Sequence, residues 1–178
     1  MDAEKFTKKS LEVIESCEKL AYEYNNQELT QAHLMYALVT VEDSLIAKLL
    51  TNMGINMDAF TGECEKLVAN RPKVSGGQLF TSPEFSKALI QAEKEAKQMG
   101  DDYISVEHIF LGLLEKADKD IKRVINAYGI TRGKFLEVLA NIRGNRKVES
   151  DNPEDTYDAL NKYGYNLVEL SLIHISEP

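Results

Sequence analysis

Cysteine is scarce in this chain of 178 residues: Cys17 and Cys64 are the only two. They stand far apart, each inside an apolar pattern of helical period, so neither a disulfide framework nor a CxxC metal site is supported. Both read as small buried hydrophobes in a reducing compartment. Long apolar runs are missing as well, and none approaches the ~20 residues a membrane span needs. The opening MDAEKFTKKS lacks the apolar core of a secretory signal. The expectation is a cytoplasmic protein with no membrane contact. Positive charge is in deficit, with 21 bases against 29 acids and a net charge of −8. Such a surface repels phosphate backbones and argues against a nucleic-acid partner.

Catalytic signatures are lacking too. There is no GxSxG, no HExxH and no glycine-rich phosphate loop; Gly76-Gly77 is a lone pair in a connector. Glu93 and Glu95 read as acids on the solvated face of a helix. With no nucleophile in view and no catalytic residue to name, the chain is not expected to be an enzyme by itself.

What is present is a repetition. Residues 29–38 read LTQAHLMYAL and residues 104–113 read ISVEHIFLGL. A shift of 75 carries Leu29 onto Ile104, Thr30 onto Ser105, His33 onto His108, Gly54-Ile55 onto Gly129-Ile130 and Phe60 onto Phe135. The first helices align at a shift of 78, on the expectation that the loop Glu23–Leu29 is three residues longer than its counterpart. Matched apolar positions at a fixed offset are the mark of a duplicated structural unit.

Each unit reads as four helices. Ser10, Val13, Cys17, Leu20 and Tyr24 recur at helical spacing and make one stripe. Thr30 offers an N-cap to a second helix with Leu34 and Leu38. A third helix stops at Gly54, with Ile55 supplying the contact of a Schellman ending. Met57, Phe60, Cys64 and Leu67 mark the fourth. The second unit opens on Ser82-Pro83-Glu84, a cap followed by an N1 proline and a first-turn acid. Ser105 caps its second helix, and Gly129 stops its third. No alternating run proposes a strand. The fold class is all-α, a pseudo-two-fold tandem repeat of two four-helix units.

The domain is placed at residues 1–146, with repeat one at 1–70, a connector at 71–81 and repeat two at 82–146. A linker helix is expected within 147–169, opening at Asn152-Pro153-Glu154. The closing LSLIHISEP, residues 170–178, resembles a translated sequencing adapter; it is expected to be non-native, leaving His174 without a role.

His33 and His108 each sit at N3 of a short helix. As metal ligands they would need two or three partners at helical or loop spacing. Around His33 no acid, His or Cys lies within four residues; around His108, Glu107 faces elsewhere and Asp101 and Asp102 lie in the preceding loop. The expectation is a partly buried histidine that satisfies its nitrogens locally, with no metal site.

The ordered set YNNQELTQAHLMYAL, RPKVSGG, SPEF, GDDYISVEHIFLGLL and NPEDTYDALNKYGYNLVEL resembles the Clp N-terminal domain, a tandem repeat at the front of Clp-type AAA+ unfoldases. The last stretch narrows the resemblance to the bacterial disaggregase branch, where it is similar to the helix leading into the first ATPase module. This resemblance implies a substrate-engaging domain that binds exposed hydrophobic segments of unfolded or aggregated polypeptides. It also implies ATP and Mg²⁺ only in ATPase modules beyond this chain, a monomeric domain, a hexameric parent and a DnaK-type chaperone system as further partner. Thr7, Asp101 and Glu107 match the polar residues that relatives use beside a shallow apolar groove, with Tyr103 and Ile104 as neighbouring contributors. Groove positions that are apolar in relatives are Gln91, Glu95 and His108 here. An adaptor-docking domain of a peptidase-linked Clp unfoldase is the alternative reading.

Overall fold

The computed structural model describes residues 2–144 and 146–154. After a 3-10 turn at Ala3–Lys5 come, among the described residues, eight helices: α1 Lys8–Glu23, α2 Gln31–Thr40, α3 Leu45–Asn52, α4 Met57–Ala69, α5 Pro83–Gln98, α6 Val106–Glu115, α7 Lys119–Ala127 and α8 Arg132–Arg143. Their ends follow local chemistry. The side chains of Thr7, Ser44, Asn56, Ser82, Asp118 and Thr131 each accept a backbone N–H of the first turn. Gly54 and Gly129 take φ of 85° and 66° at the ends of α3 and α7. Behind them the Ile55 and Ile130 N–H groups reach back to the carbonyls of Leu50 and Ile125, at 3.1 and 3.0 Å, closing Schellman endings.

The repeat is tighter than the sequence alone suggests. Thr7 caps α1 and Ser82 caps α5, both helices have 16 residues, and their C-caps are Tyr24 and Met99. The first helices therefore superpose at the same shift of 75 as the rest, and the expected shift of 78 is corrected. Buried Ser10, Val13, Cys17 and Ala21 fall on buried Phe85, Ala88, Ala92 and Ala96. The loops match as well, with Asn25 (φ 56°) over Gly100 (φ 72°). A stripe of period 3.6 nearly overlays itself when slid by three or four residues, so periodicity does not fix register.

Two strands too short to alternate appear where none was expected. β1 (Glu28–Leu29) pairs in parallel with β2 (Phe80–Thr81), and Phe6 bridges Ile104. These are symmetry mates that cross between units. The Ser82 N–H donates to the Leu29 carbonyl at 2.9 Å, and the Thr7 N–H donates to the Ile104 carbonyl at 3.0 Å. Each unit's opening residues are thus held by the other unit's loop.

Both units share one apolar cluster, with α2 and α6 at its centre; Val106 through Leu113 of α6 are all buried. Helix α6 lies so close to α5 that a Cβ on Gly112 would run into the Ala88 carbonyl. Phe110 and Phe135 stack at 4.6 Å. Glu95, expected on a solvated face, is 1% exposed and pairs with Arg132 at 2.7 Å. Its partner lies 37 residues on, at the start of α8, where helical periodicity carries no information. Glu93 is half-buried and pairs with Lys5 at 2.9 Å.

Beyond α8 the chain turns back over the second unit as a strap, Arg146–Glu154. Lys147–Asn152 is not helical and Pro153–Glu154 is, so within the 147–169 span the helical residues start at the expected Asn152-Pro153-Glu154 opening and not at 147. Its remainder, and the expected non-native tail with His174, lie outside the described residues.

Candidate functional site

The repeated histidines anchor two matched corners. In the first, the Thr30 N–H donates to His33 Nδ1 at 3.0 Å, so the proton sits on Nε2 and is donated to Asn26 Oδ1 at 2.8 Å. In the second, the Ser105 N–H donates to His108 Nδ1 at 2.9 Å, and Nε2–H meets Asp101 Oδ2 at 2.7 Å. Both rings are wholly buried rather than partly so, and both satisfy their nitrogens within seven residues. Burial, with Arg71 adding repulsion, pushes the His33 pKa down to about 4. No group of three or more His, Cys, Asp or Glu suited to a metal occurs among the described residues. Burial raises both thiols, Cys64 to about 12, which leaves them inert.

The corners differ in charge. Asn26 is neutral and spends its amide on the Pro72 carbonyl at 3.1 Å. Asp101 bears a carboxylate whose Oδ1 accepts from Arg143 Nη2 and from the Val148 N–H at 3.0 Å. Burial opposes that charge, but the bonds from His108, Val148 and Arg143 outweigh it and hold the Asp101 carboxyl below its ordinary value. Arg143, 3% exposed, also donates through Nε to the Arg146 carbonyl at 2.7 Å and lies 3.7 Å from Glu107.

Glu107 is fully buried at the first turn of α6, and neither of its oxygens has a hydrogen-bond partner among the described residues. Glu154 of the strap lies beside it. Thr7 Oγ1 donates to Glu154 Oε2 at 2.7 Å and the Val106 N–H donates to the same oxygen at 3.2 Å. Burial first, and the nearby Glu107 charge second, raise the Glu154 pKa to about 7 against the Thr7 and backbone bonds. A protonated Glu154 relieves two unpaired carboxylates of facing each other in a dry site.

Thr7, from the start of the chain, and Asp101 and Glu107, from the loop into α6 and its first turn, therefore meet in one place, roofed by the strap. All three are buried, as is Ile104, whose backbone bridges Phe6; Tyr103 is half-buried. Of the three departures from the apolar groove pattern, Glu95 and His108 are consumed by internal partners and Gln91 is half-buried. Arg143 and Glu154 escaped the sequence reading. Arg143 reaches Asp101 across 42 residues and Glu154 reaches Thr7 across 147, and no local pattern signals either. Beside this cluster lies a hollow of about 360 Å³, lined by Met99, Leu136, Leu139, Ala140, Arg143 and Lys147 among others. Exposed apolar side chains nearby in sequence are Leu11 on α1 and Ile90 on α5, at 38% and 49%.

Comparison with known proteins converges on one family. The profile of the Clp repeat (R) N-terminal domain matches residues 5–128. Among curated relatives, the chaperone protein ClpB of Clostridium tetani is 40% identical over 183 residues, covering all of this chain and 21% of the relative. ClpB of Nitratidesulfovibrio vulgaris is 42% identical over 175 residues, covering 95% and 20%. The chain thus spans about a fifth of the length of these relatives. Among solved structures, the Hsp104 N-terminal domain from Candida albicans superposes with a TM-score of 0.75 at 20% identity, covering 84% of this chain and 99% of that one. A ClpV N-domain in complex with a VipB peptide superposes with a TM-score of 0.62 at 18% identity, covering 76% and 85%.

Proposed function

The chain belongs to the Clp repeat N-terminal domain family, and from that premise we propose that it is the client-engaging domain of an ATP-dependent disaggregase of the ClpB type. It binds exposed hydrophobic segments of unfolded or aggregated polypeptides, and Thr7, Asp101, Tyr103, Ile104 and Glu107 form the contact. It has no catalytic activity of its own. ATP and Mg²⁺ act in ATPase modules of a longer, hexameric parent in the cytoplasm, which cooperates with a DnaK-type chaperone system. Among the described residues no helix is long and apolar enough to cross a membrane.

The observation that carries this reading is the convergence of Thr7 with Asp101 and Glu107, about a hundred residues further on, at one charged corner whose matched positions in the first repeat are uncharged. Buried polar groups cost stability unless they are hydrogen-bonded or paired, and neither Glu107 oxygen has a hydrogen-bond partner among the described residues, which supports a role beyond folding. Apolar burial at about 25 cal/mol/Å² over a small patch gives weak, sequence-tolerant binding, which suits handover to a translocating machine.

Chemical-shift perturbation of the labelled chain with a permanently unfolded protein tests it. The expected result is shifts at Tyr103, Ile104, Glu107 and the first turn of α1. Shifts confined to the α3–α4 face, or none at millimolar client, would sink the reading. A peptidase-linked parent is the alternative, and tight binding of a folded adaptor without binding of unfolded chains would favour it.

A further inference from the structure

The strap occupies the corner as a stretch of extended chain, held largely through its backbone. The Asp102 N–H donates to the Val148 carbonyl at 2.8 Å, and the Lys8 N–H donates to the Asp151 carbonyl at 2.7 Å. The Val148 N–H returns a bond to Asp101 Oδ1, and the Glu154 carboxyl takes the Thr7 hydroxyl and the Val106 N–H. Few side chains anchor it. Val148, Pro153 and Glu154 are buried, while Lys147 and Glu149–Asn152 are exposed. Val148 is fully buried yet stands apart from the apolar cluster that unites the two units.

The first unit shows what a permanent version of this segment looks like. There the connector follows α4 as the strap follows α8, and the Val74 N–H bonds the Asn25 carbonyl under the matching loop. The connector continues into β2 and α5 and is therefore pinned at both ends. In the second unit the position corresponding to β2 is filled by Phe6, from the start of the chain. The strap arrives at Lys8 and Thr7 without continuing into them.

We propose that the strap is a latch that imitates an extended polypeptide, and that its release frees this corner to bind a client segment main chain for main chain. This inference rests on the client-engaging reading given above. The freed set is complementary to a peptide backbone. Lys8, Asp102 and Val106 offer N–H groups and Thr7 a hydroxyl to client carbonyls, while the Asp101 and Glu107 carboxylates accept client N–H groups. The recess left by Val148 takes one apolar side chain. Bonding through the backbone explains tolerance of many sequences.

The latch has a pH dependence with a defined sign. The charged group that acts on Glu154 is Glu107 from α6; behind it, Arg143 from α8 lies 3.7 Å from Glu107 and pairs with Asp101, which also takes His108 Nε2–H. Docked Glu154 prefers its proton, so docking is fully favoured below the ordinary glutamate pKa near 4.5 and weakens as pH rises through about 7. Protection of the strap-bonded amides falls by up to about tenfold per pH unit across that window, beyond the intrinsic change in exchange.

Hydrogen exchange and client titration on the 178-residue chain test this together. Val148→Asp, which leaves the shared core untouched, is expected to accelerate exchange at Asp102 and Lys8 at least tenfold. It also tightens binding of reduced, carboxymethylated α-lactalbumin several-fold, with shifts at Val106 and Asp102. Glu154→Gln, a permanent mimic of the protonated acid, is expected to stay latched and to lose the pH dependence. Unchanged exchange in a folded Val148→Asp variant overturns the latch. Faster exchange with unchanged client affinity overturns its role as a gate. Absence of binding by either form at millimolar client overturns the client-engaging reading and the gate with it.

Discussion

The two histidine corners are built on one backbone plan and filled with different chemistry. At three matched positions the first unit holds Asn26, Ala32 and Val68 and the second holds Asp101, Glu107 and Arg143; the charge that acts on His33 is that of Arg71, outside this set. The scaffold therefore needs only a neutral oxygen to hold the histidine, as Asn26 shows. The three ionisable groups of the second corner are surplus to folding. They are retained at the cost of desolvation, which is why the second corner rather than the first is the place to look for binding.

Six variants break or sharpen this comparison. Arg143→Ala would leave Asp101 and Glu107 buried without their cation, and a loss of about 3–5 kcal/mol is expected in urea unfolding. Val68→Ala at the matched site of the first unit removes only methyl groups and costs less, about 1–3 kcal/mol.

The corners also respond to acid in opposite senses. His33, with its pKa lowered to about 4, binds its proton in the unfolded chain before it does in the folded one. Its contribution is therefore intact above the ordinary histidine pKa of 6.5 and lost as pH falls from there towards 4, on the order of 2–3 kcal/mol. The His33→Gln variant should flatten that limb of the stability–pH curve. Glu154 acts in the other direction, closing the strap as pH falls.

Gly112→Ala forces α6 away from the Ala88 carbonyl and should cost about 1–3 kcal/mol. The first unit carries Ala37 at the matched position of α2 without conflict, so Ala37→Gly should cost no more than ~1 kcal/mol. The smallest effect belongs to the most extensive change. Asp101→Asn/Glu107→Ala/Arg143→Val rewrites the second corner as a copy of the first. Stability within about 1 kcal/mol of the parent is expected, together with loss of client-induced shifts at Tyr103 and Val106.

The sequence discloses what is local. Ser82-Pro83, Ser105, Gly54 and Gly129 announce their helix ends because each acts on residues within one turn. The repeat itself is visible through its histidines and glycines, but the register of α1 against α5 is not. Their shared buried positions are Ser10 on Phe85, Val13 on Ala88, Cys17 on Ala92 and Ala21 on Ala96, pairs that agree in burial more than in size or hydropathy. Of the site, Thr7, Asp101 and Glu107 come into view by resemblance. Arg143, Glu154 and the Glu95–Arg132 pair depend on contacts between distant segments, which no periodicity encodes. The two-residue strands escape for the same reason: their pairing is decided by the partner loop and not by their own residues.

The crossed pairing of opening residues, Phe6 with Ile104 and Thr81 with Leu29, carries a consequence for how such a protein can be divided. A single four-helix unit made alone keeps an open loop edge and an unpaired leading residue that fit each other only across a two-fold axis. Joining a second copy would satisfy them, so one unit made alone is expected to run as a homodimer in sedimentation analysis. The connector turns that bimolecular association into an intramolecular one and frees the two halves to diverge. Cutting the chain between Ser75 and Gly77 should accordingly yield two pieces that reassemble, with an affinity that reports how much of the fold the tether supplies.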